Sequence, residues 1–264
     1  MQLHKKLFVI FPGRFHPFHK GHKGVYDFLS SKFSGAEVYI TSTNLTDPEK
    51  SPFDFEEKKK MAILAGVPAS HILQVKTNYN IQSLQPLIPI DINRDSIIFA
   101  VSQKDMTEDP RFSSFVKKDG SPAYLQQLPK NIDKLQPAIK HGYIATVPTT
   151  QFSVLNMPAN SASELRTRYA NLTPDQRKNF VKDLYGKYDD DIYNIMNNKL
   201  NNISEKQKKS LKNLIVGILK EDDDFMSALV GPESKFKSAI DKIHKRAGVL
   251  TKAAQDASKM VRPK

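Results

Sequence analysis

Two histidines three residues apart, His19 and His22, enclose Gly21 in the stretch Phe11-Pro12-Gly13-Arg14-Phe15-His16-Pro17-Phe18-His19-Lys20-Gly21-His22. Side chains at that spacing lie about one helical turn apart and can converge on a single group. The flanking residues say where the turn begins. Leu7 to Phe11 is an apolar run of strand length, and Val25, Tyr26, Phe28 and Leu29 recur at helical spacing. The order is therefore strand, tight turn, helix. Gly13 permits a positive φ or a close backbone approach where the strand ends. Gly21 removes a side chain beside the first helical turn, whose unpaired N–H groups attract anions. The chemistry open to this constellation is phosphate binding. Two histidines so close together more often form a surface pair or a chance metal site, and it is the surrounding Gly-Arg-Phe and Pro-Phe that favour a nucleotide site.

These residues carry a resemblance. Gly13-Arg14-Phe15-His16-Pro17-Phe18-His19-Lys20-Gly21-His22 resembles the H-x-G-H signature of the nucleotidyltransferase superfamily and is most similar to archaeal-type nicotinamide mononucleotide adenylyltransferases. A second signature of that superfamily, Ile-Ser-Ser-Thr-x-x-Arg, has a looser counterpart in Asn160-Ser161-Ala162-Ser163-Glu164-Leu165-Arg166. The resemblance implies an adenylyl transfer from ATP to a phosphorylated acceptor, with nicotinamide mononucleotide favoured and Mg²⁺ bridging the phosphates. It implies that His19 and His22 donate to the α- and β-phosphates and that Arg166 binds the leaving pyrophosphate, with the Ser161 and Ser163 hydroxyls beside it. Gly13, Arg14, Phe15 and Gly21 then belong to the nucleotide cradle, and Arg14 faces the acceptor's phosphate or the triphosphate. A phosphate monoester is already anionic at neutral pH, so the attack needs no general base. No residues are singled out as metal ligands. Archaeal-type relatives commonly offer an aromatic, often Trp, to the nicotinamide ring; with no Trp in the chain, Phe or Tyr must serve. Ser102-Gln103-Lys104-Asp105 replaces a glycine-containing turn common in relatives, and His16 replaces an Asp or Gln.

Two rival readings stand beside this one. A cytidylyltransferase acting on a phospho-alcohol or phosphosugar is the enzymatic alternative. The other is a non-catalytic assembly protein, for example of a phage particle, that keeps the fold and self-associates through its C-terminal helices.

Composition bounds the choice. The 264 residues carry a formal net charge of +12, which predicts attraction to polyanions without choosing among nucleotides, nucleic acid and acidic partners. Absence of Cys excludes disulfides and thiolate metal sites and fits a reducing compartment. No apolar run approaches the roughly 20 residues of a membrane helix. The expectation is a soluble, cytoplasmic protein.

Further strands are expected at Glu37 to Thr43, Ile72 to Val75, Ser96 to Val101 and Gly142 to Val147, and a helix at Phe55 to Ala65. Strands alternating with helices predict an α/β fold, a Rossmann-like doubly wound parallel sheet of five strands with ligand at the strands' carboxyl ends. Met106 to Gln136 reads as loop-rich, and Lys58-Lys59-Lys60 as a solvated helix face, although a lysine there could reach a phosphate. His4, His71, His141 and His244 have no constellation around them. Thr173-Pro174-Asp175-Gln176 has the form of a capping box, with Phe180, Val181 and Leu184 following on one face. A division into a nucleotidyltransferase domain, 1–172, and a basic helical extension, 173–264, is expected. Residues 200–264 hold 14 Lys and Arg against 8 Asp and Glu. Small or apolar residues recur there from Phe236 to Val261 in steps of four and three, a seam that wants a partner helix. Nucleic-acid binding by this tail rests on charge alone.

Overall fold

The computed structural model describes residues 4–200 apart from 109–111, 113–114, 149 and 160. The expected extension beyond residue 200, with its basic excess and apolar seam, lies outside the described residues, as does Asn160. The elements are β1 (Leu7–Pro12), α1 (Lys20–Lys32), β2 (Glu37–Ser42), α2 (Phe55–Leu64), β3 (Ile72–Gln74), α3 (Ile81–Leu84), β4 (Ser96–Ser102), α4 (Gln103–Glu108), β5 (Leu125–Gln127), β6 (Gly142–Val147), β7 (Phe152–Val154), β8 (Met157–Ala159), α5 (Ala162–Ala170) and α6 (Pro174–Tyr185). A further helix occupies 190–200.

The main sheet runs in the order β3-β2-β1-β4-β6-β5 with every pairing parallel. The chain therefore leaves β1 toward one edge and returns at β4 on the other side. That reversal opens a crevice at the carboxyl end of β1, where Gly13 sits. The central strands β1 and β4 are apolar along nearly their whole length because both faces are covered. Val9, Phe11, Val38, Ile40, Ile98 and Ala100 point into one core with side chains of α1, α2, α5 and α6; Phe8, Ile10, Tyr39, Ile97, Phe99 and Val101 point into a second with Leu84, Ile88 and Phe112.

Six strands, not five, make this sheet. The added strand is β5, in the segment expected to be loop-rich. Three residues long and paired only to β6, at the edge, it has too little apolar pattern to be read from sequence. The antiparallel β7–β8 hairpin is likewise additional. Helix α4 follows β4 with no loop between, and Ser102 Oγ accepts the Asp105 N–H at 3.1 Å where relatives were expected to turn on glycine.

The capping box forms as expected: Thr173 Oγ1 accepts from the Gln176 N–H, the Gln176 side chain accepts from the Thr173 N–H, and Pro174 opens α6. Phe180, Val181 and Leu184 are buried against the first core, as are Ile192 and Met196 of the last described helix. The helices after Leu172 thus share a core with the sheet, and the first compact unit runs to Ser204. No helix among the described residues is long and apolar enough to cross a membrane.

Candidate functional site

At the end of β1 the Gly13 N–H donates to the Thr41 carbonyl at 3.0 Å, tying the motif loop to β2. Gly13 does not carry the positive φ of this loop; Phe15 does, at 52°. A side chain on Gly13 would collide with the Phe15 ring folded over it, so the glycine serves close approach. Phe15 holds its left-handed backbone through packing, with its ring 5.4 Å from Phe11, 5.3 Å from Phe18 and 4.9 Å from His22. Strain of this kind costs about 1–3 kcal/mol and persists only where the surroundings fix it. Phe15, expected in the nucleotide cradle, is therefore a buried wall of the histidine site.

His19 is the N-cap of α1, and its Nδ1 accepts the His22 N–H at 3.4 Å. The two imidazoles stack with centroids 3.6 Å apart. The other face of His19 is covered by Phe152, 4.7 Å away, and only 5% of His19 is exposed. Burial lowers the His19 pKa to about 3 and, with the adjacent His19 ring, carries His22 well below its ordinary value. Both rings are neutral at pH 7. The hydrogen bond to His19 Nδ1 assigns its proton to Nε2. His22 Nδ1 is buried without a partner. A buried lone pair is more tolerable than a buried orphan N–H, so the His22 proton also belongs on Nε2. The pair thus offers two neutral N–H donors.

A cation cluster stands beside it. His16 is buried, accepts the Phe53 N–H on Nδ1 at 3.3 Å and stacks on the Phe53 ring. Its pKa falls to about 3 through burial and then through Lys58, Arg166 and Arg14. Arg166, on α5, donates to the His16 carbonyl at 2.6 Å. Burial and then Arg14 lower the Arg166 pKa, which places these two guanidinium groups within electrostatic reach of each other. Arg14 itself is exposed.

Lys58 corrects the expectation of a solvated face. Helix α2 buries Phe55, Lys58, Met61 and Ala62, so the lysine occupies a core-facing position with only 3% of its surface exposed. Its Nζ donates to Ser42 Oγ at 2.9 Å and to the Thr43 carbonyl at 2.6 Å, at the carboxyl end of β2. Burial lowers its pKa to about 8, with Asp54 opposing. Among the described residues none of Arg14, Lys58 and Arg166 forms a salt bridge. The three cations gather around His16, with Asp54 acting on Lys58 from outside ion-pair distance, and leave a positive potential that suits an anion. Arg14 and Arg166 are marked by the motifs, and Lys58 is signalled by its position on α2, three residues after Phe55 and three before Met61.

The remaining expected residues divide. Gly21 makes room for Phe152, whose ring carbons would lie 2.7 and 2.8 Å from a Cβ there. Ser161 caps α5, its Oγ accepting from Glu164 N–H at 3.2 Å. Ser163 is exposed one turn before Arg166 and Thr167. The sequence did not foresee the bracing from behind. Tyr185 on α6 donates to the Phe18 carbonyl at 2.8 Å, and Asp183 accepts from Lys20 Nζ at 3.1 Å and from Leu155 N–H at 2.6 Å. No group of three or more His, Asp and Glu side chains among the described residues is placed to hold a metal ion. A divalent cation arriving with a triphosphate would take its ligands from the phosphate oxygens. A cavity of about 480 Å³ is lined by Asn78, Tyr79, Asn80, Phe112 and Tyr124 among others. Thr41, the acceptor for Gly13, reaches Asn78 at 3.5 Å.

Residues 10–140, just under half of the chain, match the family described as Cytidylyltransferase-like. That match supports the nucleotidyltransferase superfamily. Residues 110–221 match the DUF499 third domain. None of the curated proteins matches the chain. Among solved structures it is similar to a bifunctional NMN adenylyltransferase/ADP ribose pyrophosphatase from Francisella tularensis, at 18% identity and a TM-score of 0.43, over 79% of this chain and 57% of that one. The chain thus spans little more than half the length of that protein. It is also similar to Plasmodium falciparum nicotinic acid mononucleotide adenylyltransferase complexed with NaAD, at 16% identity and a TM-score of 0.38, over 63% of this chain and 85% of that one.

The buried histidines set the acid stability. Unfolding returns His16 and His19 from about 3 to their ordinary 6.5, and raises His22 in the same direction. Between these values the unfolded chain binds more protons, so stability falls as pH drops through this window. Thermal melts from pH 7 to 4 are expected to show a steep loss with uptake approaching two protons from His16 and His19, to which His22 adds in the same direction. A midpoint independent of pH over that range would contradict the burial of these rings.

Proposed function

We propose that the chain transfers an adenylyl group from ATP to a phosphorylated acceptor and releases pyrophosphate. The observation that carries this reading is the gathering of Arg14, Lys58 and Arg166 around His16 at the end of β1 and β2, none of the three in a salt bridge among the described residues. His19 and His22 add their Nε2–H donors at the start of α1. An acceptor phosphate oxygen attacks the α-phosphorus, the bond to the β-phosphate oxygen breaks, and the departing pyrophosphate carries the charge away. His19, His22 and Arg166 meet the charge that develops, in surroundings where water is largely excluded. Arg14 and Lys58 hold the acceptor phosphate or the triphosphate, and Ser163 stands beside Arg166. Mg²⁺ would accompany ATP, held by the phosphate oxygens and neutralising part of their charge. Nicotinamide mononucleotide is the favoured acceptor, on the likeness of Gly13 to His22 to the archaeal-type enzymes. Tyr79, Phe112 and Tyr124 in the cavity beside Asn78 offer the aromatic faces for its ring.

The test is pyrophosphate release from each nucleoside triphosphate in turn, with nicotinamide mononucleotide, nicotinic acid mononucleotide, phospho-alcohols and phosphosugars. ATP with nicotinamide mononucleotide is expected to give the highest rate. Turnover of CTP with a phospho-alcohol would move the reading to a cytidylyltransferase. A second reading is favoured by the enclosure of His19 between Phe152 and His22. A protein that binds ATP without turning it over would show saturable nucleotide binding and no pyrophosphate with any acceptor.

A further inference from the structure

The β7–β8 hairpin is fixed to the site rather than resting on it. Arg168 of α5 donates to the carbonyls of Val154, Met157 and Pro158 at 3.2, 3.1 and 2.7 Å. Asp183 ties the Leu155 N–H at the hairpin tip to Lys20, the residue between His19 and Gly21 in the motif. Leu155 and Asn156 turn the hairpin with φ of 53° and 61°, a mirror-type turn built without glycine. Val154 and Ala159 are fully buried. All of this delivers one ring, Phe152, which is only partly buried yet lies stacked on His19 at 4.7 Å and 25°. Thr150, just before the hairpin, reaches to 3.0 Å from where a Cβ on Gly24 would lie, so the contact with α1 continues for another turn.

We propose that Phe152 is a positioning residue for the histidine pair. Its ring is the outer member of a three-ring stack, Phe152 on His19 on His22, and it holds the two imidazoles face to face over the start of α1. Gly21 is glycine because that ring fills the space a Cβ would take, leaving the motif's glycine to serve the hairpin and not the phosphate. A flat aromatic ring restrains rotation of His19 about its own side chain and keeps water from the face opposite His22. His22, against the other face of His19, is the titratable group in contact with it, and burial alone accounts for the depressed basicity of His19. The catalytic part of this inference rests on the proposed adenylyl transfer; the geometric part does not.

The experiment compares the full chain with Phe152→Ala, Phe152→Tyr, Gly21→Ala and the double variant Gly21→Ala/Phe152→Ala. Imidazole resonances of His19 are followed by NMR titration beside kcat and KM for ATP. In Phe152→Ala, water reaches His19, and its titration is expected to move up by about one pH unit or more toward the ordinary value. A fall in kcat of roughly tenfold, with KM for ATP changed less, is expected from a mispositioned donor. Phe152→Tyr keeps the stack and is expected to restore both. Gly21→Ala alone is expected to lower Tm by about 5 °C through overpacking, and by less than half of that when Phe152 is absent. An unmoved His19 titration in Phe152→Ala, or Phe152→Tyr behaving as Phe152→Ala, overturns the proposal. So does an equal penalty for Gly21→Ala in both backgrounds. Should the wild-type protein release no pyrophosphate at all, the NMR titration and the double-variant melts still decide whether Phe152 orders the pair.

Discussion

Lys58→Met is expected to melt higher than the wild type at pH 7 and to bind tripolyphosphate at least tenfold more weakly. The lysine is 3% exposed and its pKa falls from 10.5 to about 8. A depression of that size corresponds to roughly 3 kcal/mol against the charged folded state. Methionine fills similar volume without the charge, but it leaves Ser42 Oγ and the Thr43 carbonyl without a donor, a loss of about 1–2 kcal/mol. The net gain is about 1–2 kcal/mol, or a few degrees in a unit of this size. Sign follows from proton counting. Between pH 8 and 10.5 the unfolded chain binds more protons at this position, so wild-type stability contributed by Lys58 rises with pH across that window. The variant is expected to lack the rise. Binding goes the other way: an anion favours charged Lys58, so wild-type affinity is expected to weaken above pH 8 while Lys58→Arg keeps it. Calorimetric titration with tripolyphosphate at pH 7 and 9, paired with thermal melts, reads both effects. Equal affinity in wild type and Lys58→Met would remove Lys58 from the site.

For the histidine pair, His22→Ala is expected to reduce the rate of pyrophosphate release by about 10²–10³-fold, the usual effect of removing one donor aimed at developing charge. His22→Gln, which can present an N–H near the position of Nε2, is expected to recover part of it. The pH dependence separates this picture from acid catalysis. With His19 near 3 and His22 depressed in the same direction by burial, the wild-type rate is expected to show no limb at the ordinary imidazole value, leaving Lys58 as the contributor near pH 8. A limb in kcat/KM at the ordinary imidazole value that disappears in His22→Ala would mean that the free protein leaves the pair solvated and chargeable. The fold of His22→Ala needs checking by its melt, because Phe11, Phe15 and Phe18 all pack around that ring.

Much of this molecule is legible without coordinates. Four of the five expected strands are local runs buried largely on both faces, and β3 keeps Ile72 and Leu73 at its start, so their apolar character survives in the sequence whatever their neighbours do. The same holds for α1 after the motif and for the Thr173 box, where the signal lies within four consecutive residues. β5 escaped because Leu125-Gln126-Gln127 holds a single apolar residue, whereas β3, equally short and also at an edge, has Ile72 and Leu73 to mark it. The β7–β8 hairpin escaped because Leu155 and Asn156 turn without glycine, the residue that normally marks such a turn.

The sequence alone determined that a glycine-flanked histidine pair follows the first buried strand, since spacing and burial of this kind are local. What lies against those residues was decided by the tertiary structure. Lys58 is drawn inward because α2 turns its Phe55–Met61 face to the core, and the side chain finds Ser42 and Thr43 waiting at the end of β2. Arg166 arrives beside His16, and Phe152 on His19, across more than a hundred residues of chain. Contacts of that range follow from how two cores close around a sheet, and no stretch of sequence records them locally.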